Sequence, residues 1–315
     1  MEFSEYYVAY FDVLGYKDAF KKSADISVKL IKSIESSIDL IKNILLIFNT
    51  LSSELAEKMP KIESKIFSDN ILICYKEKKE PLSELVLVIF LRLITIIQRE
   101  LFLNNSLIVR GGITKGPLYL TNDFVGGKAL IDAVELENTA VYPRIVVDDC
   151  ILSELNSPKI QDDVFKNIIK ASCLDLLINH TDGKFSLNYI ISYDAWIMFP
   201  QNDSQSEKID SFEEFEKKYR EGLLRKPIYN SECLKEISVI LQKHRDLVEE
   251  KVNEFSQSLN NEADKKSRFR ILEKYLWLVS FHNKICKEIY GMPQLKINLK
   301  SEFNEQTLAF DVSVG

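Results

Sequence analysis

The feature that most constrains this chain is the run over residues 6–11, which is aromatic or β-branched at every position except Ala9 and stops abruptly at Asp12-Val13-Leu14-Gly15. Such a run reads as a buried strand entering a tight turn. It delivers an aspartate to the edge of the core. A second aspartate arrives in a similar way. Residues 61–67 read as a strand, Ser68-Asp69-Asn70 follows, and residues 71–75 are again strand-like, which predicts a hairpin with Asp69 at its tip.

Between these strands, apolar residues recur at helical spacing (Ile31, Ile34, Ile38, Ile41, Leu45, Phe48), and Ser/Asp punctuation at 23–27 predicts two helices over 17–59. A helix over 81–102 and a strand over 107–113 come next. Gly116-Pro117 predicts a turn into a short strand at 118–120, Gly126-Gly127 opens a helix over 128–137, and residues 143–148 supply another strand. The order β-α-α-β-β-α-β-β-α-β predicts an α+β fold in which helices cover one face of a mainly antiparallel sheet. Thr181-Asp182-Gly183-Lys184 predicts a hairpin turn, periodicity predicts helices over 212–225, 231–259 and 265–290, and the tail from Pro293 is a candidate strand. The expected organisation is a domain over residues 1–150 and a mostly helical extension over 151–315 that packs on it.

The chain has 315 residues, 46% of them hydrophobic, enough for a sizeable core. Its net charge of −6 argues against a broad basic face for nucleic acid, while leaving room for a local positive pocket that takes one triphosphate. Five scattered cysteines without a CxxC pair point to neither structural zinc nor a disulfide scaffold and fit a reducing cytoplasm. No stretch reads as a secretion signal. The most apolar one, residues 82–98, is interrupted by Glu84 and Arg92 and is short for a membrane span, so no membrane partner is expected. His180, His244 and His282 are too dispersed for a ligand cluster, and His282 reads as a satisfied packing histidine in an apolar helix.

Four segments carry candidate chemistry: Phe11-Asp12-Val13-Leu14-Gly15-Tyr16, Phe67-Ser68-Asp69-Asn70, Arg110-Gly111-Gly112-Ile113-Thr114-Lys115-Gly116, and residues 127–137 from Gly127-Lys128-Ala129 to Glu137. Alone, each has an ordinary reading: an aspartate caps or turns, Gly15 is a turn glycine, Arg110 is a structural ion-pair residue. Together, two carboxylates leaving neighbouring buried strands suit shared divalent cations, Mg²⁺ or Mn²⁺, with the carbonyl of Val13 as a candidate third ligand. The backbone amides of Leu14, Gly15 and Tyr16, between strand and helix, are candidates for binding phosphates.

These segments and their order resemble class III nucleotidyl cyclases, with a ferredoxin-like sheet whose first metal aspartate lies in a Phe-x-Asp-x-x-Gly segment and whose second lies in a hairpin tip, positions taken here by Asp12 and Asp69. The resemblance covers roughly the first half of the chain. More specifically, the Phe-Ser-Asp hairpin, the Arg-Gly-Gly-Ile strand, the Gly-Lys-Ala helix and Tyr142-Pro143-Arg144-Ile145 are similar to the bacterial pyrimidine cyclases of the Pycsar antiphage system. The resemblance implies a uridylate or cytidylate cyclase that closes UTP or CTP into a 3′,5′-cyclic monophosphate with two divalent cations. It also implies a homodimer with composite active sites and a separate effector activated by the product. Ile131 and Glu135 stand where purine cyclases offer an Asn and an Arg to the transition state. Lys128 and Arg144 are the candidate replacements, with surface charge an equally good reading of Lys128. Lys65, four residues before Asp69, reads equally as a base-reading residue and as a polar residue on an alternating strand. A degenerate nucleotide-binding regulator and an interaction protein are the rival readings.

Overall fold

The computed structural model describes residues 2–14, 24–51, 61–78, 83–159, 163–191, 231–258 and 265–299. The chain divides into two compact units, Met1–Lys170 with Lys184–Leu187, and Ala171–Gly183 with Asn188–Gly315.

The first unit is built on β1 (Ser4–Val13), the run that dominates the sequence. It lies between β3 (Asn70–Lys76) and β4 (Val109–Leu120), antiparallel to both. The path continues from β2 (Ile62–Phe67) through β3, β1 and β4 to β6 (Ile145–Val147) and β8 (Phe185–Leu187), while the short β5 (Val125–Gly126) pairs with the far end of β4. The β4–β6 pair is parallel; the other pairs of this unit are antiparallel. The α+β class expected from the element order is the one observed.

Alternation along β1 sends its side chains to two different layers. Tyr7 stacks on Tyr75, which meets Phe90 of α2 (Ser83–Asn105) edge-on. On the other face, Tyr6 and Val8 pack with Leu72, Cys74 and Leu118 against Ala129 and Ala133 of α3 (Lys128–Thr139). The sequence predicts helices over one face only; the structure has them over both, because α3 carries a stripe of small residues that matches the glycines of β4. A Cβ at Gly112 would stand 2.4 Å from the Leu136 Cβ and 2.6 Å from the Ala133 carbonyl oxygen. Only glycine lets helix and strand approach so closely.

Two boundaries differ from expectation. Gly116-Pro117 does not turn the chain, since β4 runs unbroken with Gly116 beneath Ala129 and Pro117 opposite Glu5. β6 is only three residues long. At the end of α2, Ser106 adopts a left-handed φ of 54° and donates its amide to the Phe102 carbonyl at 2.9 Å, which closes the helix. The long helix α1 (Ala24–Leu51) precedes β2; the other helix expected in that region falls largely outside the described residues. The first unit runs on past residue 150 through α4 (Asp149–Asn156), where Glu154 accepts from the Tyr7 hydroxyl at 2.6 Å and pairs with Lys115 at 2.5 Å.

The second unit is mostly helical: α5 (Asp163–Leu176) runs into it, β7 (Leu177–Asn179) follows, and α6 (Ser231–Ser258) and α7 (Lys265–Lys284) form its body. A π-helical turn, Ile285–Ile289, extends α7, and Pro293–Leu295 form a 3-10 turn in place of the strand start expected there. The helix expected over 212–225 lies outside the described residues. His244 and His282 are buried side by side. The His282 Nε2–H donates to the Leu295 carbonyl (2.9 Å), its Nδ1 accepts from His244 Nδ1–H (3.2 Å), and His244 Nε2 accepts from the Tyr189 hydroxyl (2.7 Å). Burial keeps both rings neutral, and this pattern of donors and acceptors satisfies both in that state. No disulfide joins the five cysteines. Among the described residues no helix is long and apolar enough to cross a membrane.

Two outcomes follow from this packing. Gly112→Ala should destabilise the first unit by about 1–3 kcal/mol, read by urea unfolding, because helix or strand must move to admit a methyl group. The second concerns acid. Burial holds His282 down to about 4 from its ordinary 6.5, and burial with the neighbouring His282 holds His244 well below the same value. The unfolded chain therefore binds more protons than the folded one below 6.5, so this contribution to stability is complete above that pH and is lost as pH falls toward about 4. Urea unfolding of the second unit should weaken across that window, with a shallower slope in His282→Asn.

Candidate active site

The less buried end of β1 carries the candidate chemistry. Strand register sets Asp12 opposite Asn70 of β3 on one side and opposite Arg110 of β4 on the other. The β2–β3 connection is the two-residue turn Ser68-Asp69, with Ser68 at a left-handed φ of 61°, and the Asp69 carbonyl accepts from the Val13 amide at 2.9 Å. Asp69 therefore sits at the hairpin tip against the end of β1, as its position in the sequence predicts.

Hydrogen bonds then tie these groups together. The Tyr10 hydroxyl donates to Asn70 Oδ1, and Asn70 Nδ2 donates to Asp69 Oδ1 at 3.3 Å. Burial first, then the charges of Glu137, Asp12 and Asp69, raise the Tyr10 phenol above its ordinary value. One tyrosine thus senses three carboxylates. Arg110 lies among them: its Nε is 3.8 Å from Asp12 Oδ1, and its Nη2 pairs closely with Glu137 Oε1. Burial and the Asp12 charge push the Glu137 carboxyl up, against the opposing pull of Arg110.

Glu137 is the member that sequence reasoning missed. It continues the stripe Ala129, Ala133 at a helical interval of four, and all three are buried. A charged residue on an otherwise apolar stripe needs a partner inside the fold, and that is the signal that points to it.

The other candidates are placed differently. The Val13 and Leu14 amides are engaged by the carbonyls of Asp69 and Ile108, each at 2.9 Å, while Gly15 and Tyr16 lie outside the described residues. The Lys65 ammonium donates to the Asn122 carbonyl in the β4–β5 connection. Lys128 is exposed and pairs with Asp132 one helical turn on, which raises its pKa, and it does not join the Asp12 group. Arg144 is buried, its Nε donating to the Ala140 carbonyl at 3.2 Å. Ile131 and Glu135 are exposed on α3.

Among the described residues no group of three or more His, Cys, Asp or Glu side chains is arranged to hold a metal ion. Asp12 and Asp69 are nevertheless two hard oxygen donors on adjoining strand ends. That set fits a magnesium-like ion, which takes one or two protein carboxylates and completes its shell with water and substrate phosphates.

No protein-family model and no curated protein matches the chain. Among solved structures, the adenylyl cyclase CyaB from P. aeruginosa is similar at 10% identity and a TM-score of 0.37, over 59% of this chain and 95% of that one. The fold described here rests on the strand pairing itself.

Removing the Tyr10 hydroxyl tests the link that steadies the hairpin tip. Tyr10→Phe should cost about 0.5–1.5 kcal/mol of stability in urea unfolding, the ordinary contribution of one such hydrogen bond. A change near zero would show that Asn70 is held by other groups.

Proposed function

We propose that this chain is a pyrimidine nucleotide cyclase, converting UTP, or CTP, to the 3′,5′-cyclic monophosphate and pyrophosphate as a second-messenger synthase in antiphage defence. The observation that carries the cyclase reading is the convergence of Asp12 and Asp69 at the end of the central strand, joined through the Val13 amide and the Asp69 carbonyl. The pyrimidine base and the defence role are supported by the resemblance of the hairpin, the Arg-Gly-Gly-Ile strand and the Tyr-Pro-Arg-Ile segment to the Pycsar branch.

The reaction forms a bond from the ribose 3′-oxygen to the α-phosphorus, breaks the α–β phosphoanhydride, and releases the 3′-hydroxyl proton. Asp12 and Asp69 would hold two divalent cations, Mg²⁺ or Mn²⁺, which when bound lower the hydroxyl pKa and offset phosphate charge. Rigid strands supply the positioning on which such a displacement depends. Arg110 pairs with Asp12 at 3.8 Å and is the candidate for a phosphate contact. A homodimer with composite sites, a cytoplasmic location and a separate effector belong to the same proposal.

A second reading, a nucleotide-binding regulator without turnover, is favoured by Ile131 and Glu135, which put an apolar and an acidic side chain where the resembling enzymes use Asn and Arg. Incubating the protein with each of the four ribonucleoside triphosphates and Mn²⁺, with products read by mass spectrometry, separates the two. The expected result is a cyclic pyrimidine nucleotide that is absent from Asp12→Ala and Asp69→Ala, both still folded. A cyclic purine would overturn the base assignment. Triphosphate binding with no cyclic product would select the regulator.

A further inference from the structure

Asp12 and Arg110 are direct cross-strand neighbours, one on β1 and one on β4. Opposite charges so placed ordinarily close on each other. Here they do not. The Arg110 Nε stays 3.8 Å from Asp12 Oδ1, beyond hydrogen-bond range, while Nη2 is drawn onto Glu137. Glu137 cannot drift toward the strand end with the guanidinium, because the contact of Ala133 and Leu136 with Gly112 fixes the helix that carries it. It is also the more buried partner, its side chain 7% exposed against 23% for Arg110 and 24% for Asp12.

We infer that Glu137 is a positioning residue for the cation site: by holding Arg110 it keeps the guanidinium from closing on Asp12 and competing with a divalent cation for that carboxylate. The inference rests on the reading of Asp12 and Asp69 as cation ligands. An arginine fork fits a carboxylate in bidentate fashion, so an Arg110 released from Glu137 has Asp12, directly across the strand pair, as its alternative partner. A cation arriving at Asp12 would displace it only at a cost. With Glu137 in place the arginine already has its own anion, and the two positive charges need not share one carboxylate. Glu137 is also in hydrogen-bond contact with Asp12, so its action through Arg110 is the part of its effect that disappears when Arg110 is removed.

The test is Mn²⁺ binding to the full chain without nucleotide, titrated by electron paramagnetic resonance. Wild-type binding that Asp12→Asn removes establishes the site. Glu137→Gln should then weaken Mn²⁺ binding roughly tenfold, the scale of one charge-assisted contact. Adding Arg110→Gln to that variant should restore affinity to that of Arg110→Gln alone. Glu137→Asp, which keeps the charge and is gentler on folding but falls short of Arg110, should weaken binding in the same direction. If Glu137→Gln costs the same factor with and without Arg110, or Glu137→Asp binds as wild type, Glu137 contributes only its charge and the inference fails while the cation site stands. If no Mn²⁺ affinity depends on Asp12, the cation reading fails and takes this inference with it.

Discussion

The contact on which the rest of the first unit depends is the near-touching of α3 and β4 at Gly112. Backbone packs on backbone there, with Ala133 and Leu136 occupying the space that any side chain on the strand would need. Close-packed interiors transmit such a constraint rather than absorb it. Because the helix cannot slide, the buried end of its stripe falls at a fixed place, and Glu137 meets Arg110 at the end of the sheet. The same approach brings Ala129 over Gly116, so β4 continues straight through a Gly-Pro pair that would otherwise favour a turn.

Charge is concentrated where burial is incomplete. Along β1, the layer shared with α3 passes from fully buried Val8 to half-exposed Tyr10 and Asp12. Three carboxylates, Asp12, Asp69 and Glu137, gather at that end around one guanidinium and one phenol. A fully buried site would make so many like charges untenable, and a fully exposed one would screen them. The half-exposed strand end lies between these limits.

The second unit uses its ionisable groups in another way. His244 and His282 pass hydrogen bonds from Tyr189 to the Leu295 carbonyl with both rings neutral, so the pair serves packing and satisfies buried polar atoms.

Much of this was legible from residue order. The run at 6–11, the turn at Ser68-Asp69 and the Gly-Gly pair at 111–112 are local signals, each tied to a backbone conformation or a buried face, and they locate both aspartates. Local signals could not say that Glu137 completes the charge group, since it lies 125 positions from Asp12 in the chain, nor that α3 takes the opposite face from α2. They also misread Gly116-Pro117, where the demand of helix packing outweighs the turn preference of the dipeptide. The sequence by itself determined which residues could be strand, turn and helix, because those choices depend on neighbours along the chain. Which carboxylates share one site, which arginine lies between them and which faces the helices cover were decided only by the tertiary structure, because those follow from side chains brought together across the sheet.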